Sequence, residues 1–96
     1  MSEEPETSIL IATHEQLAFT RRCLEALEST LAGKLSYEVL LVDDASRDGT
    51  VDYLKNLSNP YRVFFNDERK GYAANNNFAA SQAKGKYLCL LNNDVF

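Results

Sequence analysis

Basic charge is in short supply in this chain: 10 Lys and Arg stand against 14 Asp and Glu, for a net charge of −4. A nucleic-acid surface needs a basic field to meet phosphates, so nucleic acid is not the expected partner. Cysteine is scarce too. Cys23 and Cys89 form no CxxC pair and no Cys/His cluster, which leaves zinc unsupported. Both lie in apolar company on separate predicted elements and read as buried free thiols. No apolar run approaches the ~18 residues of a membrane-spanning helix. The segment Met1 to Glu6 is acidic, with no apolar region behind it, so no secretory signal is expected. The expected placement is cytoplasmic, with the inner face of the membrane as the alternative for the full-length protein. Glycine-rich phosphate loops are missing as well. The first predicted strand runs into His14-Glu15-Gln16, which excludes a nicotinamide-dinucleotide fold, and the absence of GxxxxGKS/T excludes a P-loop. There are no repeats, low-complexity tracts or internal linkers.

What is present is the composition of one small globular domain: 96 residues, 45% hydrophobic and 25% charged. A chain this short buries roughly 60–65% of its unfolded surface, so its stability margin is thin. Ser8–Thr13 is a short, continuous, β-branched apolar run, as expected of a strand buried on both faces. Gln16 to Leu31 carries Leu17, Leu24, Leu27 and Leu31 at helical spacing, with Arg21, Glu25 and Glu28 opposite and Gly33 closing the helix. Tyr37–Asp43 is a second buried strand. Turn residues from Asp44 to Gly49 lead to a short helix over Thr50 to Leu57, with Val51 and Leu54 inward, stopped by Asn59-Pro60. Tyr61–Asn66 is a third strand, Tyr72 to Ala83 an Ala-rich helix, and Tyr87–Leu91 a fourth strand.

The order β-α-β-α-β-α-β, with fully apolar strands and helical connections, predicts an α/β fold. It is a Rossmann-like three-layer αβα arrangement with a mainly parallel sheet covered on both faces. Ligands of such sheets bind beyond the carboxyl ends of the strands, near a topological switch point. The exits to search are therefore Thr13-His14-Glu15, Asp43-Asp44, Asn66-Asp67 and Asn92-Asn93-Asp94. One carboxylate of Asp43-Asp44 can cap the following turn, which leaves the other free to accept from a ligand N–H. A lone carboxylate after the fourth strand can hold a hard divalent cation, with diphosphate oxygens and waters completing its shell. His14, the single histidine, reads as a loop residue or nucleoside wall more readily than as a base. Asn75-Asn76-Asn77 are poor helix formers, divided between a helix-start role and a donor-site role.

At these exits the residues resemble family 2 glycosyltransferases of the GT-A fold, from Thr7 to Asp94. SILIATHEQ is similar to that family's first strand and its Thr/Ser-Tyr-Asn exit. YEVLLVDDASRDGT is similar to its E-x-x-V-D-D-x-S-x-D-x-T signature, and GYAANNNFAASQAKGKYLCLLNND to its run into the metal motif. The Asn-Asn-Asp form is most similar to a rhamnosyltransferase-like branch. The resemblance implies a nucleotide-diphosphate sugar, a UDP- or dTDP-sugar first, held by Ala12, Thr13, His14, Glu15, Asp43, Asp44, Lys70, Gly71, Asn92, Asn93 and Asp94. Asp44 would accept from a pyrimidine ring N–H, with Asp43 supporting it or contacting the nucleoside. Lys70-Gly71 would border the base or phosphates, and Asp94 would bind Mn2+ or Mg2+. Three positions depart from the family: His14 stands for its Tyr, Glu15 for its Asn, and Asn92 for the first Asp of its D-x-D.

The resemblance further implies inverting transfer of the sugar to an acceptor hydroxyl, on a glycan or lipid-linked sugar, in polysaccharide synthesis. The catalytic base is expected beyond Phe96, so no catalytic residue is assigned. Residues 1–6 are expected to form a flexible tail, and 7–96 the nucleotide-binding half of a truncated GT-A domain that is inactive alone. Two other classes stand beside this reading: a non-catalytic nucleotide-binding module, and a receiver-like signalling domain suggested by VLLVDD. In a chain cut here, strand 87–91 becomes an apolar sheet edge and a candidate for self-association.

Overall fold

The computed structural model describes residues 5–31, 33, 36–58 and 60–92, the last without its side chain. β1 (Thr7–Thr13) and β2 (Tyr37–Asp44) are buried almost end to end rather than at alternate positions. Continuous burial of this kind needs helices on both faces of a parallel sheet. α1 (Leu17–Leu31) and α2 (Thr50–Lys55) cover one face, where Ile9, Ile11, Val39 and Leu41 meet Cys23, Leu24 and Leu54. α3 (Tyr72–Gln82) covers the other, where Ala79 sits on Leu10, Leu40 and Val42. β3 (Tyr61–Asn66) and β4 (Tyr87–Asn92) complete a four-stranded, all-parallel sheet in the order β3-β2-β1-β4. The chain leaves β1 for β2 on one side and returns to β1's other side with β4, so the switch point lies between β1 and β4. No helix among the described residues is long and apolar enough to cross a membrane.

The amino end of the sheet is tied by a buried polar network. Glu38 accepts from Ser8 Oγ (2.6 Å), Arg62 Nη1 (3.0 Å) and the Lys84 N–H (2.7 Å). Burial pushes its carboxyl up, but these donors outweigh it and hold it below its ordinary value. Ser8 Oγ also accepts from the Gly85 N–H at 2.8 Å. This approach is so close that a Cβ on Gly85 would stand 2.6 Å from Ser8 Oγ and 2.7 Å from its backbone nitrogen, which explains glycine there. Within the tail expected over residues 1–6, residues 1–4 lie outside the described residues. Glu6 is held at the sheet: its N–H donates to Ser36 O, and its carbonyl accepts from Lys86 and Tyr87.

β4 departs from the expected two-sided burial. Tyr87, Leu88 and Leu90 are 60%, 50% and 54% exposed, because α3 packs over β1 and β2. Cys23 is buried as expected, but Cys89 is exposed for the same reason. Among the described side chains of β4, only Leu91 packs inward, against the α1 face.

Candidate functional site

Parallel strands bring their carboxyl ends to one edge, and there the two neighbouring aspartates divide the work. Asp43, fully buried, accepts from Thr13 Oγ1 (3.0 Å), the Ser46 N–H (2.9 Å) and Ser46 Oγ (2.6 Å). Ser46 Oγ in turn accepts from the Glu15 N–H at 2.5 Å. Asp48 accepts from the N–H and hydroxyl of Thr50 (3.0 and 2.6 Å) and from the Leu17 N–H (3.3 Å), joining the starts of α2 and α1. The Thr50 hydroxyl is the main reason its carboxyl lies below its ordinary value. The spaced residues of DDASRDGT therefore form one hydrogen-bonded loop that clamps the β1 exit to the β2 exit. The clamp forces unusual backbone: Glu15, Gln16 and Ala45 all have φ near +60°, where residues other than glycine are uncommon.

Asp44 is not the free acceptor that the acidic pair suggested. Its Oδ1 accepts from Asn66 Nδ2 (3.0 Å) and the Lys70 N–H (2.7 Å). Its Oδ2 accepts from Arg69 Nε and the Gly71 N–H, both at 3.0 Å. A carboxylate offers about four lone-pair sites, and all are filled. Burial alone raises this group's pKa. The Lys70 N–H, the Asn66 amide, the Gly71 N–H and Arg69 outweigh burial and hold it well below the usual carboxylate range. Gly71, at φ 95°, supplies both the turn into α3 and one of these donors.

A cavity of about 210 Å3 opens above this carboxylate, lined by Ala12, Thr13, His14, Asp44, Arg69, Tyr72 and Asn75. His14 Nδ1 lies 2.6 Å from the Asp44 carbonyl oxygen; a carbonyl only accepts, so Nδ1 carries the proton. Asn75 Oδ1 accepts from Asn66 Nδ2 (2.7 Å), so the Asn66 amide joins the β2 exit to α3. Four residues expected at the site thus line one cavity, with Asp43 and Glu15 in the clamp beside it. Lys70 and Gly71 hold Asp44 through their backbone N–H groups, while Lys70 lines a separate groove with Phe64, Phe65 and Phe78. Sequence reasoning missed Arg69, Tyr72 and Asn66's bridging role; the polar loop between β3 and α3 was the available signal. The Asn triplet lies inside α3 and does not cap it. Asn75 and Asn76 are buried, and the Asn76 Nδ2 has no partner among the described residues.

β1 and β4 place Asn92 in register with Ala12, so the β4 exit opens beside the same cavity. Asn93 and Asp94 lie outside the described residues. Among the described residues no group of three His, Cys, Asp or Glu is gathered to hold a metal.

The model of glycosyl transferase family 2 matches residues 8–96. A curated relative, glycosyltransferase AglE of Haloferax volcanii, is 32% identical over 93 residues, which is 94% of this chain and 31% of AglE. The mannosyltransferase PcManGT from Pyrobaculum calidifontis, solved with GDP-Man and Mn2+, superposes with a TM-score of 0.82 at 22% identity. That match covers 97% of this chain and 28% of PcManGT. S. aureus TarS, solved with UDP-GlcNAc, superposes with a TM-score of 0.83 at 24% identity, over 93% of this chain and 26% of that one. The likeness to these two structures establishes the fold, and the chain spans about a third of the relative's length or less.

Proposed function

The chain belongs to glycosyl transferase family 2, and from that membership we propose that it binds a nucleotide-diphosphate sugar in the cavity above Asp44. The sugar is transferred, with inversion, to an acceptor hydroxyl. The reading is carried by the convergence of Ala12, Thr13, His14 and Asp44 around one cavity at the switch point of a parallel sheet. The nucleoside lies between the β1 exit and the start of α3, with a base N–H directed at Asp44. The diphosphate extends toward the β4 exit, where Asp94 would hold a divalent cation. PcManGT was solved with GDP-Man and Mn2+, and TarS with UDP-GlcNAc, which supports a nucleotide sugar and a metal.

In the transfer, the acceptor oxygen attacks the anomeric carbon as its bond to the diphosphate oxygen breaks. A divalent cation bound at the β4 exit would supply charge neutralisation for the leaving diphosphate, which departs with the electron pair of the broken bond. A general base takes the acceptor proton. Family membership removes the receiver-like alternative and leaves the non-catalytic binding module as the second reading.

Calorimetry with UDP, dTDP and GDP, with and without Mn2+, tests this proposal. The expected result is binding of at least one diphosphate, strengthened by Mn2+. No binding of any of the three, with or without metal, would refute it.

A further inference from the structure

A carboxylate meant to receive a ligand's N–H is here already saturated. The four donors to Asp44 differ in how firmly they are fixed. The Lys70 and Gly71 donors are backbone N–H groups, and Asn66 is half-buried and bridged to Asn75. The Arg69 side chain is 61% exposed, while that of Asp44 is 4% exposed. Arg69 also lines the cavity, so its Nε–H reaches Oδ2 from the side by which a ligand would arrive. An ion pair with one partner so exposed contributes little to stability and is displaced at small cost.

Resting on the nucleotide reading above, we propose that Arg69 is a latch. In the empty protein it occupies Oδ2 of Asp44 in place of the base N–H. When the nucleoside arrives, its N–H takes over Oδ2 and Arg69 swings out toward the diphosphate. The swing requires no loop movement, because the Lys70 and Gly71 N–H groups keep the backbone pinned to Asp44. The released guanidinium is always charged and pairs well with phosphate oxygens. The latch therefore disfavours uncharged nucleosides, which must break the Arg69–Asp44 pair and offer Arg69 nothing in return. It favours diphosphates, which supply a new partner. Arg69 on this view is a specificity-determining residue of the binding site.

The experiment compares wild type with Arg69→Met, which keeps an apolar stem and removes the donors and charge. The probes are uridine, thymidine and guanosine and their 5′-diphosphates, measured by calorimetry, with thermal melts to confirm folding. The two effects should have opposite signs. The matching nucleoside should bind Arg69→Met about two- to fivefold more tightly than wild type, the range expected for loss of an exposed ion pair. Its diphosphate should bind more weakly. Arg69→Lys, which keeps the charge, should recover diphosphate binding in part. If nucleoside affinity falls or stays level in Arg69→Met while wild type binds the diphosphate, the latch is wrong and the nucleotide reading stands. If wild type binds none of the six, the nucleotide reading fails and the latch with it.

Discussion

Replacing Asp44 with Asn tests whether this carboxylate organises the strand exits as the structure implies. Asn keeps the shape but presents one oxygen and one NH2 to four donors. The cheaper orientation puts the NH2 on the Oδ2 side, where it faces the Gly71 N–H and Arg69 Nε. Arg69 is exposed enough to turn to water, so one half-buried backbone N–H is left unpaired, at about 1–3 kcal/mol. The two surviving bonds, from Asn66 and Lys70, change from charge-assisted to neutral and lose about 1 kcal/mol between them. The expected loss of stability is about 2–4 kcal/mol, or roughly 10–20 °C in melting temperature for a domain of this size.

The pH dependence supplies an independent check. Asp44 has a folded-state pKa depressed below its unfolded value of 3.8. It therefore contributes stability in full above that value and loses it as pH falls through the folded pKa. The gap between wild type and Asp44→Asn should be full at neutral pH and should narrow below about pH 4. Urea unfolding monitored by circular dichroism from pH 3 to pH 7 measures both quantities. A variant within ~0.5 kcal/mol of wild type at neutral pH, the scatter of an ordinary surface change, would refute the role.

Further outcomes are expected elsewhere in the molecule. Gly85→Ala places a methyl group 2.6 Å from Ser8 Oγ and 2.7 Å from Ser8 backbone nitrogen, and should destabilise the fold by about 1–3 kcal/mol in chemical denaturation. Asp43→Asn should cost stability more than nucleotide affinity, since Asp43 touches Thr13 and Ser46 and does not line the cavity; equal losses in calorimetry and unfolding would contradict this. Asp94→Ala should abolish the Mn2+-dependent part of nucleotide binding with the melt unchanged, and a retained metal effect would move the ion elsewhere. Leu90→Lys should reduce concentration-dependent association in sedimentation, because β4 pairs only with β1 among the described residues and Leu90 is exposed. A wild type that stays monomeric across the concentration series would show that this edge does not self-associate.

The sequence by itself determined the order and type of the seven elements found among the described residues. The apolar runs 8–13 and 37–43 and the leucine spacing of 17–31 record local burial, and local burial depends on period. It also determined which edge carries the site, because helical connections between apolar strands require a parallel sheet and a parallel sheet gathers its exits. Family membership was legible from the DDASRDGT spacing, although the reason for the spacing was not. The division of labour between Asp43 and Asp44 was decided only by tertiary structure. Asp43 pairs with its near neighbour Ser46 and with Thr13, 30 residues away, whereas the partners of Asp44, namely Asn66, Arg69, Lys70 and Gly71, all lie 22 to 27 residues away. No periodicity encodes such contacts. Arg69 and Tyr72 entered the site, and Cys89 left the core, for the same reason: each depends on which element lies above it. That is set by how α3 crosses β1 and β2, and not by any property of the residues themselves.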